Sequence, residues 1–330
     1  MVISPTWRAL PAACLGVAVV LASTPALADQ GGVPFWFSGQ YASMSAAPPP
    51  PGWALTLLPY YYNGSADASK TFARGNNLVT GLGSHVGLLN AQLAYAWDTK
   101  VLGGVPMIGI SWGAGNSSTS ANLLATLPSQ SLRRTFSDSV NGGTDLYPIA
   151  TLSWSKGNDN WMTYLTGDIP TGAYDPRRLS NLGIGHGAID AGGGYTYLNQ
   201  KTGFELSAVV GFTYNWKNTD TNYRNGVDSH LDWAVSQFLS ESWQVGIVGY
   251  VYDQLSNDSY ATNGVIGAIR QRALGQFQSH VASVGGEVGY VFPFGKKQGY
   301  LNFRGYSEFW AKNRLEGYAL YATLNLPFGQ

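Results

Sequence analysis

The stretch FELSAVVGFTYNW, residues 204–216, decides the fold. Every second residue is apolar: Phe204, Leu206, Ala208, Val210, Phe212, Tyr214 and Trp216. Between them stand Glu205, Ser207, Val209, Gly211, Thr213 and Asn215, mostly small or polar. Side chains alternate faces along a β-strand, so the stretch has one greasy face and one mostly polar face. Strands in soluble sheets usually run about five or six residues. A tilted strand crossing a bilayer needs about 9–11, apolar outward and polar inward, with aromatics at the interfaces. The segment therefore reads as one stave of a membrane barrel.

The alternation recurs along the chain. Leu89, Ala91, Leu93, Tyr95 and Trp97 share a face, opposite Asn90 and Gln92. Similar patterns follow in Leu231–Leu239, Trp243–Val251, Val284–Phe292, Leu301–Phe309 and Tyr318–Phe328. Weaker candidates occupy 53–62, 105–112, 145–156, 160–168 and 186–198. Together they predict an all-β, antiparallel up-and-down transmembrane barrel of about 12 strands. The connections sort by parity, except that the last external one, near Asn313, is short. Those near 63–86, 113–144, 169–185, 217–226 and 254–279 are long, and those between are short. Long external loops and short periplasmic turns are the bacterial outer-membrane pattern. Glycines 192–194 read as a bulge or a close strand crossing.

Composition agrees. Charged residues are 12% of the chain, against a usual ~25%. Aromatics reach 13% and net charge is zero, which gives nucleic acid nothing to bind. After residue 28 no apolar run is long enough for a helical span. Arg8, the apolar run Leu10–Ala22 and Ala26-Leu27-Ala28 read as a secretory signal peptide over residues 1–28, cleaved after Ala28. Cys14, the single cysteine, lies within it, so no disulfide or thiolate metal site is expected.

Residues 29–52 do not fit a strand ladder, because four consecutive prolines, Pro48–Pro51, cannot donate to one. They form a periplasmic tail, or a plug that packs Phe35, Trp36 and Tyr41 inside the lumen. The barrel proper then spans 53–330. Projecting the alternation inward puts Glu205, His230, Asp232, Gln244, Tyr250, Glu287, Arg304 and Glu308 on the lumen face, with Asp190 beside them. They either fill the interior with ion pairs and hydrogen bonds or line a solute path. Aromatic walls with a few polar groups suit small, mostly apolar solutes. His230 and Asp232 also suggest a catalytic dyad with Ser229 or Ser236, although Ser236 is far along the strand and Ser229 points away. No cofactor is expected, and no histidine pair has metal-site spacing.

The loop GDIPTGAYDPRRLSNLGIGHG, residues 167–187, carries the gate candidates Tyr174, Asp175, Arg177, Arg178 and Asn181. The arginines attract acidic aromatics or lipopolysaccharide phosphates, or simply pair with Asp175 and Asp168. Together with TYLTGDIPTGAYDP, GAIDAGGGYTYLNQKTGFE, NGVDSHLDWAVSQFLSESWQVGIVGYVYDQL, QGYLNFRGYSEFWAKNRLEGY and PPPPGW, this loop resembles the outer-membrane family named for the MetA-pathway of phenol degradation. The resemblance covers most of the expected mature chain. It implies an outer-membrane barrel, and uptake of aromatic or other hydrophobic compounds, in a Gram-negative cell.

The expected function is passive diffusion of such solutes. A non-transporting scaffold or surface-interaction barrel is the alternative, and a lipid-acting barrel enzyme a third reading. Expected partners are outer-membrane lipid, lipopolysaccharide, the solutes themselves and the barrel-assembly machinery. Many barrels end on an aromatic residue used in assembly, and here Phe328 stands two residues early.

Overall fold

The computed structural model describes residues 24–25, 32–67, 70–74, 77–127, 130–260 and 277–329. The expected cleavage after Ala28, and Cys14, lie outside these, as does much of the 254–279 connection. Twelve antiparallel strands form a closed barrel, each bonded to the next along the chain. They are β1 (Gly52–Ser65), β2 (Asn77–Ala96), β3 (Val105–Leu127), β4 (Tyr147–Lys156), β5 (Asp159–Asp168), β6 (Ala188–Asn199), β7 (Phe204–Asn215), β8 (Asp228–Phe238), β9 (Trp243–Gln254), β10 (His280–Phe294), β11 (Lys297–Lys312) and β12 (Glu316–Phe328). The seam joins β1 to β12, from Trp53 opposite Phe328 to Ser65 opposite Glu316. Full closure leaves no open sheet edge within lipid.

Alternation dictates what each face meets. On β7, Phe212 is 53% exposed while Glu205 is fully buried. That is the inverse of a soluble protein, and it is stable only if apolar hydrocarbon bathes the outer face. Val210, Ile247, Phe303 and Leu320 are exposed in the same way on their strands. Aromatic pairs ring the end that carries the short turns: Trp53–Tyr95, Trp161–Tyr195, Tyr197–Phe204 and Trp243–Tyr290. Tyr61–Tyr318 and His280–Trp310 mark the opposite end. These belts sit where amphipathic rings meet lipid headgroups.

The short turns follow from local chemistry. Gly157-Asn158 forms a two-residue hairpin loop between Lys156 and Asp159, and Gly157 takes φ +67°, which a side chain would resist. Three expectations are corrected. β7 ends at Asn215, so the strand has 12 residues and Trp216 follows it. The stretches 63–86 and 113–144 are not simple loops. β2 and β3 run on to 20 and 23 residues, and Lys70–Arg74 and Gln130–Gly143 pair onto their outer parts. Glycines 192–194 carry no bulge, since the β6–β7 register runs unbroken from Asn199–Phe204 to Ala188–Asn215.

Candidate functional site

The lumen is occupied by the chain's own beginning. Residues 32–51 enter no strand, yet Val33, Phe35, Trp36, Phe37, Ala42 and Ala46 are buried. A buried backbone without ladder partners needs other hydrogen bonds, and the barrel's inward side chains supply them. Asp232 accepts from Gly39 N at 2.8 Å and from Tyr41 N at 3.2 Å. Glu205 accepts from Met44 N at 2.9 Å, and Thr196 from Ala46 N at 3.0 Å. Arg304 donates to the carbonyls of Gly39 (3.0 Å) and Gln40 (2.7 Å). Tyr306 also donates to Gly39 O, and Tyr321 to Ser38 O. Val33–Ala46 of this segment pack inside the barrel, while Pro50 and Pro51 at its end are exposed.

The other inward residues bond one another in two groups. Ser236 donates to Glu205 at 2.6 Å, Gln244 to Ser236 at 2.5 Å, and Tyr300 to Gln244 at 2.7 Å. Asn302 and Ser43 both donate to Glu287. Glu308 accepts from Tyr250 at 2.7 Å and Tyr62 at 2.9 Å. Arg304 also lies 4.7 Å over the Tyr321 ring. Buried carboxylates need this degree of pairing to be tolerated.

The suggested His230–Asp232 dyad is not formed. His230 Nε2 meets Asp190 at 2.9 Å, and Asp190 also accepts from Tyr164 (2.7 Å) and Thr213. Asp190 on β6 and His230 on β8 flank β7, and their side chains meet across its inner face. Gly211, opposite His230, clears the crossing: a Cβ there would stand 2.7 Å from the imidazole and 1.9 Å from the Tyr164 hydroxyl. Ser236 bonds Glu205 instead of His230, and Ser229 donates to the Asp253 carbonyl. Trp36 stacks on His230 and packs near Tyr41 and Tyr164. Asp190 and Tyr164 both follow from strand parity, but only the fold shows that they converge.

The 169–187 connection folds against the inner segment. Leu182 and Ile184 are buried in one apolar cluster with Val33, Phe35 and Phe37. Asp145 holds the loop through Gly172 N (2.7 Å) and Ile184 N (2.9 Å). Asn181 and the Asp175 backbone bond reciprocally, and Asn218 donates to the Tyr174 hydroxyl at 2.8 Å. Arg177 pairs with Asp175 at 2.8 Å, drawing that carboxyl down to about 2. Arg178 pairs with Asp138 at 2.7 Å, not with Asp168, and its hydrogen bonds hold the Asp138 carboxyl below its ordinary value. The Arg178–Asp138 contact exists because Gln130–Gly143 is a strand, which the sequence did not reveal.

Among the described residues, two cavities lie against Trp36 and Phe37 of the inner segment. The larger, about 350 Å³, runs between Phe35, Phe37 and Met44 and a wall that includes Thr56, Asn90 and Ser111. The smaller, about 70 Å³, lies beneath Asn181 and is lined by Trp36, Tyr60, Tyr62, Ser117 and Glu308. Among the described residues, no group of three His, Cys, Asp or Glu could hold a metal ion.

The fold is that of known outer-membrane barrels. An outer membrane channel from Pseudomonas putida F1 superposes with a TM-score of 0.65 at 12% identity, covering 86% of this chain and 98% of that one. The β domain of the Bordetella autotransporter BrkA gives 0.45 at 10% identity, with 84% and 100% covered. A Pseudomonas aeruginosa FadL homologue gives 0.38 at 10%, with 84% and 90% covered. No curated protein matches the chain in sequence. The model of one family, described as "Putative MetA-pathway of phenol degradation", matches residues 68–324, and the chain belongs to that family.

Proposed function

We propose that the protein is a passive outer-membrane channel for small hydrophobic or aromatic solutes. The observation that carries this reading is the aromatic-edged cavity of about 350 Å³ that remains open beside a hydrogen-bonded inner segment. Twelve strands enclose a wider interior than the roughly eight that side chains alone can fill, which leaves room for a solute path. The family's name and the channel from Pseudomonas putida support the reading. Residues 1–28 direct export, and Phe328 at the end of β12 is the residue offered to the assembly machinery. Transport follows the solute's gradient and calls on no nucleophile or cofactor.

The test is reconstitution. Purified, folded protein in planar bilayers should conduct small ions, and added phenol should reduce that current by occupying the lumen. A folded barrel that carries no current and passes no phenol would reject the channel.

A further inference from the structure

The inner segment is hydrogen-bonded to one side of the barrel and meets the other through apolar contacts of Phe35 and Phe37. Its polar anchors stand on β6 (Thr196), β7 (Glu205), β8 (Asp232), β11 (Arg304, Tyr306) and β12 (Tyr321). Both cavities have β1, β2 and β3 along one wall; the lower one also reaches β4, β5, β11 and β12, and the upper one β9 and β11. The lower one meets Thr56 and Leu58, Asn90 and Gln92, and Ser111. The upper one meets Tyr60 and Tyr62, Ser84 and Val86, and Ser117 and Thr119. Strand register makes these a single column, with Gln92 opposite Ser111 and Ser84 opposite Thr119. One rung separates the cavities: Tyr60, Leu88 and Gly115. Phe37 of the inner segment stands edge-on to Tyr60 there, ring centroids 5.3 Å apart.

A second observation points to a ligand in this column. Asn90 is only 6% exposed, yet neither its amide nitrogen nor its oxygen has a hydrogen-bond partner, and it lines the lower cavity. The indole nitrogen of Trp36, a residue lining both cavities, is equally buried and unpartnered. A buried polar group with no partner keeps its full desolvation penalty unless something bonds it. The wall beside Asn90 is bare: a Cβ on Gly113 would lie 1.9 Å from its Oδ1. By contrast, the charged groups along the column are engaged. Arg304 bonds Gly39, Gln40, Asn302 and Thr323, and Glu308 accepts from Tyr62, Tyr250 and Gly317 N.

We propose that solute passes along the β1–β3 wall beside a fixed inner segment, through the neck at Phe37, Tyr60 and Leu88, and that Asn90 and Trp36 bond the hydroxyl or carbonyl of an uncharged aromatic solute. The inference rests on the channel reading and adds to it a route and a solute class. The segment is then a stationary half-wall and does not swing away as a gate. The hydroxyl and amide side chains of the column favour a neutral ring bearing one polar group over its anion, because a charge buried without its own partner is costly.

The experiment is single-channel recording in KCl with the full mature protein, each variant first shown to be folded by heat-modifiable gel migration. Ser43→Cys with Ser236→Cys locks the segment to β8, because the two hydroxyls are 3.0 Å apart and the mature chain is expected to have no cysteine of its own. Oxidation should leave the current unchanged. Ser111→Trp and Gln92→Trp, independently, should cut it by about tenfold by filling the column. Phenol, added as blocker, should need about five- to tenfold more to act on Asn90→Leu, the effect of one lost hydrogen bond. Phenolate at alkaline pH should block poorly.

A current lost on oxidation and restored by reductant would overturn the fixed segment. Tryptophan variants that conduct like wild type would overturn the route, and unchanged phenol block in Asn90→Leu would overturn the role of Asn90. A folded wild type with no current would remove the channel reading and this route together.

Discussion

The indole of Trp36 lies on the imidazole of His230, ring centroids 3.5 Å apart and planes 18° from parallel. One ring comes from the inner segment and the other from β8, whose imidazole is held by Asp190 on β6. The contact ties the N-terminal segment to the barrel wall at a fully buried point. Trp36→Ala should therefore destabilise the folded barrel by about 3–5 kcal/mol, as large-to-small core changes do. Denaturant unfolding from lipid vesicles measures this, and a loss within the noise would show that the stack holds nothing in place.

Asp232 accepts two backbone amides of the inner segment. Asp232→Ala should cost about 1–3 kcal/mol for each amide left without an acceptor. Faster hydrogen exchange at Gly39 and Tyr41, with strand amides unchanged, is the specific signature. Uniform loss of protection would instead point to global unfolding.

The outer face should respond to charge according to depth. Val210 lies mid-strand on β7, and Phe204 sits at its short-turn end. Val210→Arg should cost about 2–4 kcal/mol and Phe204→Arg about 0–1, by equilibrium unfolding in vesicles. Equal costs at the two positions would contradict the placement of β7 across the bilayer.

Gly211 leaves room for Tyr164 and His230 to reach Asp190. Gly211→Ala should cost about 1–3 kcal/mol through overpacking. Gly286→Ala, where the nearest atom to a new Cβ is 3.7 Å away, serves as a near-neutral control in the same unfolding assay.

The outer loop should loosen only in acid. Arg178 holds the Asp138 carboxyl below its ordinary value, and Asp138 also accepts the amides of Leu179 and Ser180. A carboxyl lowered on folding stabilises the fold above its unfolded value, and that contribution is lost as pH falls through the folded one. Protection of the Leu179 and Ser180 amides, corrected for intrinsic exchange, should stay constant from neutral pH down to about pH 4 and fall below it. Loss of protection already at pH 6 would assign the docking to another group.

The barrel was legible because lipid imposes a period-two pattern on every strand it touches, as in Phe204–Asn215. Where strands rise beyond lipid the pattern ends. Ser117-Ser118-Thr119-Ser120 on β3 carries no apolar alternation, so its strand read as loop. Parity likewise placed Glu205, Asp232, Glu287 and Arg304 inside. It could not show that they bond the backbone of residues 39–44 or Ser43, more than 160 positions away. Whether an inward residue faces solute or the chain itself depends on partners that no local pattern encodes. Asn90, unremarkable in sequence, stands out only because the fold buries its amide without a hydrogen-bond partner.

The seam between β1 and β12 has a consequence for how the molecule is built. It joins the first stave to the last, the pair with the greatest separation along the chain, and Lys297 clasps both ends by bonding the carbonyls of Pro51 and Gly329. Contacts of such separation are the slowest to find in folding. The segment that fills the interior precedes β1, so it is present before the ring shuts. Its seat is nevertheless made by later staves: the side chains that bond residues 38–46 stand on β6, β7, β8, β11 and β12, so the lining is complete only when most of the wall is in place.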